Sequence, residues 1–180
     1  MRLPLKYVAL MICPPKPREN KNMFKKLLLI AMTSLLFTGC ASVQMESKEA
    51  SQKAKEFNKP SEGNAGLYIY RDSFVGKALK KDVWVDDKCI GETAPDVFFR
   101  TEVAGNKEHK ISTESEFSPN NLSLFTEAGR NYFIRQYIKL GVFVGGAGLE
   151  LMDESEGKAA VAKLEMAMPG TCSDMPAAKK

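Results

Sequence analysis

His109 and four cysteines, Cys13, Cys40, Cys89 and Cys172, are the residues of this 180-residue chain whose types invite chemistry. His109 would act as a general acid or base only with a nucleophile or carboxylate held in defined geometry, and no motif marks such a partner. Its parity with Ile111, Thr113 and Phe117 puts it on the core side of a strand, just after the Gly105-Asn106 turn. There an imidazole can pack and also bond a turn carbonyl. Glu114 and Glu116 share a strand face and imitate a glycosidase pair, but a solvated face accounts for them. The segment Gly141–Gly148 lacks the Lys-Ser/Thr that a phosphate-cradling loop uses. Two thiols and a lone histidine form a weak metal set. The expectation is therefore no catalytic residue, no metal and no cofactor.

Cys40 stands apart because it closes the stretch "MFKKLLLIAMTSLLFTGC". Lys25 and Lys26 form a basic start, and Leu27 to Phe37 make an apolar run of signal-peptide length, too short to span a bilayer. Its end, Leu36-Phe37-Thr38-Gly39-Cys40, resembles the lipobox of bacterial lipoproteins, with Phe37 where leucine is usual. The resemblance implies cleavage after Gly39, a diacylglyceryl group on the Cys40 thiol and an acyl chain, such as palmitate, on the new amine. Each buried methylene contributes about 0.8 kcal/mol, so two or three chains make a stable membrane anchor. Ala41, rather than aspartate, follows the cysteine. In enterobacterial-type sorting this implies the outer membrane, facing the periplasm, with the inner membrane as the alternative. Residues 1–22 do not fit this pattern: Pro4 and Lys6 interrupt their apolar part, and Pro14, Pro15 and Pro17 forbid a helix through the join. They read as an upstream mis-start before a signal peptide at 23–39.

The net charge of +4 depends on this leader. Residues 1–39 hold seven of the 26 basic and one of the 22 acidic side chains, so 19 basic and 21 acidic remain, a net −2. No basic stripe is left to neutralise phosphates, which excludes nucleic acid as a partner. The remaining 141 residues suit one domain with one core. In an oxidising periplasm, Cys89 and Cys172 are the two thiols left to pair or stay free.

Beyond Cys40, residues 40–62 are polar, with Ala50, Ala54 and Phe57 at helical spacing. They read as a lipidated, partly helical tether that holds the domain off the membrane. From Ala65 the period becomes two. "AGLYIYRD", the hairpin "DVWVDDKCIGETA", "DVFFRTEV", "KEHKISTESEF", "LSLFTEA" and "RNYFIRQYIK" alternate, with a turn signal every 8–12 residues. Near the end, Asp153 and Glu156 suggest a capping box, with Val161, Leu164 and Met168 along one helix face before Pro169-Gly170. The expected fold is mainly β: an antiparallel β-sandwich of about seven or eight short strands over 63–168, closed by one C-terminal helix. The N-terminal helical tether precedes it and a tail, 169–180, follows.

The pattern "VWVDDKCIGETAP…FFRTEVAGNKEHKISTES…LFTEAGRNYFIRQY" resembles the bacterial lipoprotein family designated domain of unknown function 2846, from about Ala65 to Leu164. The hairpin is also loosely similar to the β-sandwich PEGA module, although Asp87 replaces its glycine and Ala94 intervenes before Pro95. Neither resemblance implies a catalytic residue. Tyr68, Tyr70, Trp84, Phe98, Phe133 and Tyr137 share the parity opposite the aliphatic face. Open to solvent, Tyr68, Tyr70 and Trp84 would be a platform for glycan or peptidoglycan; covered by the C-terminal helix, they would be a second core. Val142, Phe143 and Val144 either tuck into the core or touch lipid or a partner. The function expected is a non-enzymatic, lipid-anchored envelope module contacting another envelope protein, with glycan binding as the alternative.

Overall fold

The computed structural model describes residues 41–115, 119–141 and 145–173. Cys13 and Cys40, the signal segment, Glu116, Phe117 and Val142 to Val144 lie outside the described residues. Helix α1 (Lys48–Ala54) precedes β1 (Asn64–Arg71), β2 (Lys81–Val85), β3 (Lys88–Thr93), β4 (Val97–Ala104), β5 (Lys107–Thr113), β6 (Asn120–Thr126), β7 (Asn131–Lys139) and β8 (Gly146–Met152). Helix α2 (Glu154–Val161) and the short β9 (Glu165–Met166) follow. The strands form two sheets, ordered β8-β7-β1-β4-β9 and β3-β2-β5-β6.

The β2–β3 hairpin turns where its sequence says it should. Asp86 and Asp87 both adopt left-handed φ, 50° and 63°, which suits a two-residue turn that follows the strand twist. The five-stranded sheet is mixed, because β1 pairs with β7 in parallel and β4 with β9 in parallel, whereas the four-stranded sheet is antiparallel throughout. The cause is the direction of travel. From β1 to β8 each strand runs opposite to the one before it, so when the odd-numbered β1 and β7 become neighbours they point the same way. Pairing across the sandwich is not visible to a strand-by-strand reading, which is why parallel contacts were not expected.

Both faces of the five-stranded sheet are buried. Leu67, Ile69 and Ile134 face Val83, Val85, Ile111 and Leu124 of the other sheet. On the opposite face, Tyr68, Tyr70, Phe98 and Phe133 pack with Ala54 of α1 and with Val161 and Leu164 at the end of α2. Tyr68 and Phe133 stack with centroids 5.0 Å apart, and Phe57 joins them at 5.4 Å from Tyr68. Hence the aromatic parity of β1 is a second core.

The flanking segments depart from expectation. Asp153 is the N-cap of α2, but its side chain makes no capping bond, and the helix ends at Val161 rather than reaching Met168. The chain then extends to pair with the open edge of β4, and Glu165 receives bonds from Ser51 and Lys55 of the N-terminal segment. Residues 41–62 contain the expected helix, yet they pack along the domain. Glu46 N–H donates to the Met166 carbonyl, and Met168 N–H donates to that of Gln44. The Tyr68 hydroxyl donates to the Ala54 carbonyl at 2.9 Å, and the Asn131 amide donates to those of Phe57 and Asn58.

Helix α2 lies so close to β7 that a Cβ on Gly157 would fall 2.2 Å from the Phe133 Cβ. Outside this packing, alanine would favour a helix over glycine by about 1 kcal/mol. Gly157→Ala should therefore reverse the usual sign and destabilise the domain by roughly 1–3 kcal/mol, the range for overpacking. Urea unfolding of wild type and variant checks it; a variant as stable as wild type would mean that α2 does not press on Phe133.

Candidate functional site

Three groups of residues were candidates for function, and they lie in different places. Tyr68, Tyr70 and Trp84 do not form an open platform: their exposures are 0%, 1% and 3%. Burial raises the Tyr68 phenol and pushes that of Tyr70 up to about 12. Trp84 is not even on the same sheet. It points away from Val83 and Val85, and its cross-strand partner is Cys89. The alternation that placed these rings on one parity was right for each strand. It could not say that the parity faces α1 and α2 in β1 but the opposite side of the sandwich in β2.

Cys89 and Cys172 are joined by a disulfide across 83 residues, with Cα atoms 5.8 Å apart. The path of the tail, which the sequence leaves open, follows from this bond and its neighbours. Gly170 N–H donates to the Ile90 carbonyl at 3.0 Å, and Ser173 donates from both its backbone N–H and its hydroxyl to the Asp82 carboxylate. Burial pushes the Asp82 carboxyl up, and the two Ser173 bonds oppose that shift. The tail is thus fastened beside Trp84 along β2 and β3.

His109 is 3% exposed and both its ring nitrogens are engaged. Nδ1 lies 2.6 Å from Asp86 Oδ2 and Nε2 lies 2.8 Å from the Ala104 carbonyl oxygen. Both ring nitrogens are thus taken up by contacts within the fold, one to a carboxylate and one to a backbone carbonyl. The turn carbonyl was legible from Gly105-Asn106; Asp86 was not, because it arrives from the β2–β3 turn 23 residues away. Asp86 also accepts from the Lys110 N–H at 3.0 Å. Burial acts to raise the Asp86 carboxyl, but the Lys110 and His109 bonds outweigh it and hold the group below the usual range. A cleft of about 320 Å³ opens beside this pair between Val85, Ile90 and Val103, with Lys88, Lys107 and Glu102 on its rim. It carries charge of both signs, and the histidine at its wall is already bonded.

Two buried polar residues escaped the sequence reading. Gln136 shares the inward parity of Ile134 and sits fully buried between the sheets, bonded to the Thr93 and Thr113 hydroxyls and near the Lys81 and Asp82 carbonyls. Arg71 shares the inward parity of Leu67 and Ile69 and is also fully buried. Its guanidinium donates to the carbonyls of Leu79, Gly76 and Val75. A polar side chain on the apolar parity was the available signal in both cases. Among the described residues, no group of three His, Cys, Asp or Glu side chains is placed to hold a metal ion.

These hydrogen bonds make acid sensitivity specific. Glu102 accepts from Ser61, Arg100 and Asn64, and the Ser61 hydroxyl leads in lowering its carboxyl from 4.5 to about 2. Asp86 is lowered too. For carboxyls depressed by folding, the stability they lend is complete above their unfolded values and is lost as pH falls through the folded ones. The deficit of Glu102→Gln or Asp86→Asn relative to wild type, read as the difference in Tm, should therefore stay constant from pH 7 down to the ordinary carboxyl values of 4.5 and 3.8 and shrink only below them. At neutral pH, His109→Gln should fold but lose about 1–3 kcal/mol, because one acceptor is left without its donor.

Comparison with other proteins identifies a family. A family model described as "Protein of unknown function (DUF2846)" matches residues 61–147, which run from just before β1 into β8. An uncharacterized protein of Haemophilus influenzae (strain ATCC 51907 / DSM 11121 / KW20 / Rd) is 60% identical over 149 residues, covering 82% of this chain and 87% of that protein. No solved structure matches. With the family's pattern spanning the strands of both sheets, and a relative this similar over most of its length, the chain belongs to the DUF2846 family of proteins of unknown function.

Proposed function

We propose that this protein is a lipid-anchored module of the bacterial cell envelope, facing the periplasm from the outer membrane, that works by contact with other envelope components rather than by catalysis. The observation that carries the reading is the order of basic start, apolar run and Gly39-Cys40 at the N-terminal side of the domain. The disulfide between Cys89 and Cys172 supports it, because such bonds persist in oxidising compartments such as the periplasm. The matched stretch of the Haemophilus influenzae relative, 82% of this chain, is longer than residues 40–180, so the likeness reaches into the apolar segment. His109 supports a non-enzymatic role, since both its ring nitrogens are occupied by groups of the fold. The burial of Tyr68, Tyr70 and Trp84 removes the aromatic platform on which glycan binding would have rested.

Mass spectrometry of the protein purified from membranes should find Cys40 as the first residue, carrying acyl chains. Cys40→Ala should accumulate as uncleaved precursor. An unmodified N-terminus at Met1 or Met23 would overturn the anchor. On the chain-entropy relation, closing an 83-residue loop stabilises a domain by about 4 kcal/mol. Protein extracted without reductant should therefore show no free thiol at Cys89 or Cys172 after denaturation, and its Tm should drop on reduction. Full labelling of both cysteines would remove the periplasmic argument.

A further inference from the structure

The parallel pairing of β1 and β7 has a consequence at one end of the sandwich. Both strands finish there, so the loop after β1 and the connection after β7 emerge side by side. They touch: a Cβ on Gly76 would sit 3.0 Å from the Ile138 side chain, and one on Gly145 would sit 2.8 Å from that of Leu79. Phe74 and Val75 from the first loop and Leu140 from the second are 75%, 53% and 95% exposed. No other pair among the exposed large hydrophobics is as open as Phe74 and Leu140.

The first loop is held rather than loose. Arg71, wholly buried beneath it, donates to the Leu79 carbonyl at 2.7 Å, to that of Gly76 at 2.6 Å and to that of Val75 at 3.3 Å. A buried cation bonded to three carbonyls fixes the loop backbone and so turns Phe74 and Val75 outward. The charges around them are sorted. Asp72 is paired with Arg135, Glu92 with Lys80 and Glu114 with Lys81. Asp96, also at this end, is exposed, and Glu165 beside Val97 is paired with Lys55. Lys77 lies over the Phe74 ring at 4.8 Å and Lys139 over Tyr137 at 5.5 Å, neither with a carboxylate partner among the described residues.

One more bond gives the patch its meaning. Ala41 N–H donates to the Lys77 carbonyl at 2.9 Å. Ala41, the first of the described residues and the neighbour of Cys40 in the sequence, is thus held against this loop. Residues 41–58 then run back along β9 and the aromatic core, which leaves little slack for a spacer.

The geometry points to a lipid-facing tip. Phe74, Val75 and Leu140 enter the boundary between headgroups and acyl chains of a phospholipid surface, while Lys77 and Lys139 meet anionic headgroups. The domain rests on the membrane instead of standing off it. This rests on the reading of Cys40 as the lipidated residue. An anchor so close keeps the tip at high local concentration beside the bilayer, so three apolar side chains suffice where they would not bind alone.

The test uses the full protein, as purified from membranes, in vesicles of phosphatidylethanolamine and phosphatidylglycerol. Phe74→Trp supplies a probe at the tip; Phe125→Trp supplies one on β6 opposite Glu108, at the far end of the sandwich. Buried Trp84 adds a constant background. Phe74→Trp emission should shift to the blue and be lost to lipids brominated in the upper acyl chain, whereas Phe125→Trp should be quenched only by aqueous acrylamide. Charge reversal at Lys77 and Lys139 should weaken the lipid quenching as the phosphatidylglycerol fraction rises. Quenching at position 74 by acrylamide alone would overturn the tip; shielding there from both quenchers would assign it to a second copy or another protein and overturn it equally. Mass spectrometry of Cys40 in the same sample separates the two ideas. Acylation without lipid quenching leaves the anchor and removes the tip. Lipid quenching without acylation removes the anchor and overturns the anchored tip as well, because the three side chains would then be binding alone.

Discussion

The double burial of β1 is the constraint on which the rest of the structure depends. From Ala65 to Arg71 every residue of the strand is buried, so neither face of its sheet can meet water. The four-stranded sheet covers the aliphatic face. The other face carries Tyr68, Tyr70, Phe98 and Phe133, and no strand remains to cover it. Segments from both ends of the domain do so instead. Residues 41–58 bring Ala54 and Phe57, and 153–168 bring Val161, Leu164 and β9. Burying side chains of this size contributes about 1.5–3 kcal/mol each, enough to hold segments with little helical tendency of their own. Helix α2 is only eight residues long, lacks a side-chain cap and contains a glycine; it exists because it is packed.

Three of the polar side chains left inside join elements. Gln136 ties β7 to both β2 and β5 across the two sheets. His109 ties the turn after β2 to the end of β4. Arg71 ties the end of β1 to the loop that follows it. Each replaces water with hydrogen bonds, and an unsatisfied donor in these positions would cost about 1–3 kcal/mol. Such sites look like active sites in a sequence, since they are isolated polar residues on apolar faces. Their geometry makes them joints.

The family pattern covers residues 61–147, so it spans most of the two sheets and stops short of α2, β9 and Cys172. The covering elements and the disulfide tail lie outside it, although Cys89 and the aromatic face they attach to lie inside. The proposed tip draws on both regions. Arg71, Phe74 and Leu140 lie within the matched span, and Ala41, which is bonded to the same loop, lies before it.

The sequence by itself determined the strands β1 to β7, where the Asp86-Asp87 hairpin turns and that His109 faces the core, because these depend on neighbours within a few residues, whereas β9 lies where the local pattern indicated helix. It also displays in full the order of basic start, apolar run and Gly39-Cys40 from which the proposed anchor is read, because that order is linear. Only the tertiary structure decided what Tyr68, Tyr70 and Trp84 face, because alternation assigns a residue to a side of its strand but not a neighbour to that side. The same holds for the parallel pairing of β1 with β7, for Asp86 as the partner of His109, and for the descent of residues 41–58 onto the domain. These contacts join residues far apart in the chain. They arise from the need to cover one sheet twice, which no local pattern records.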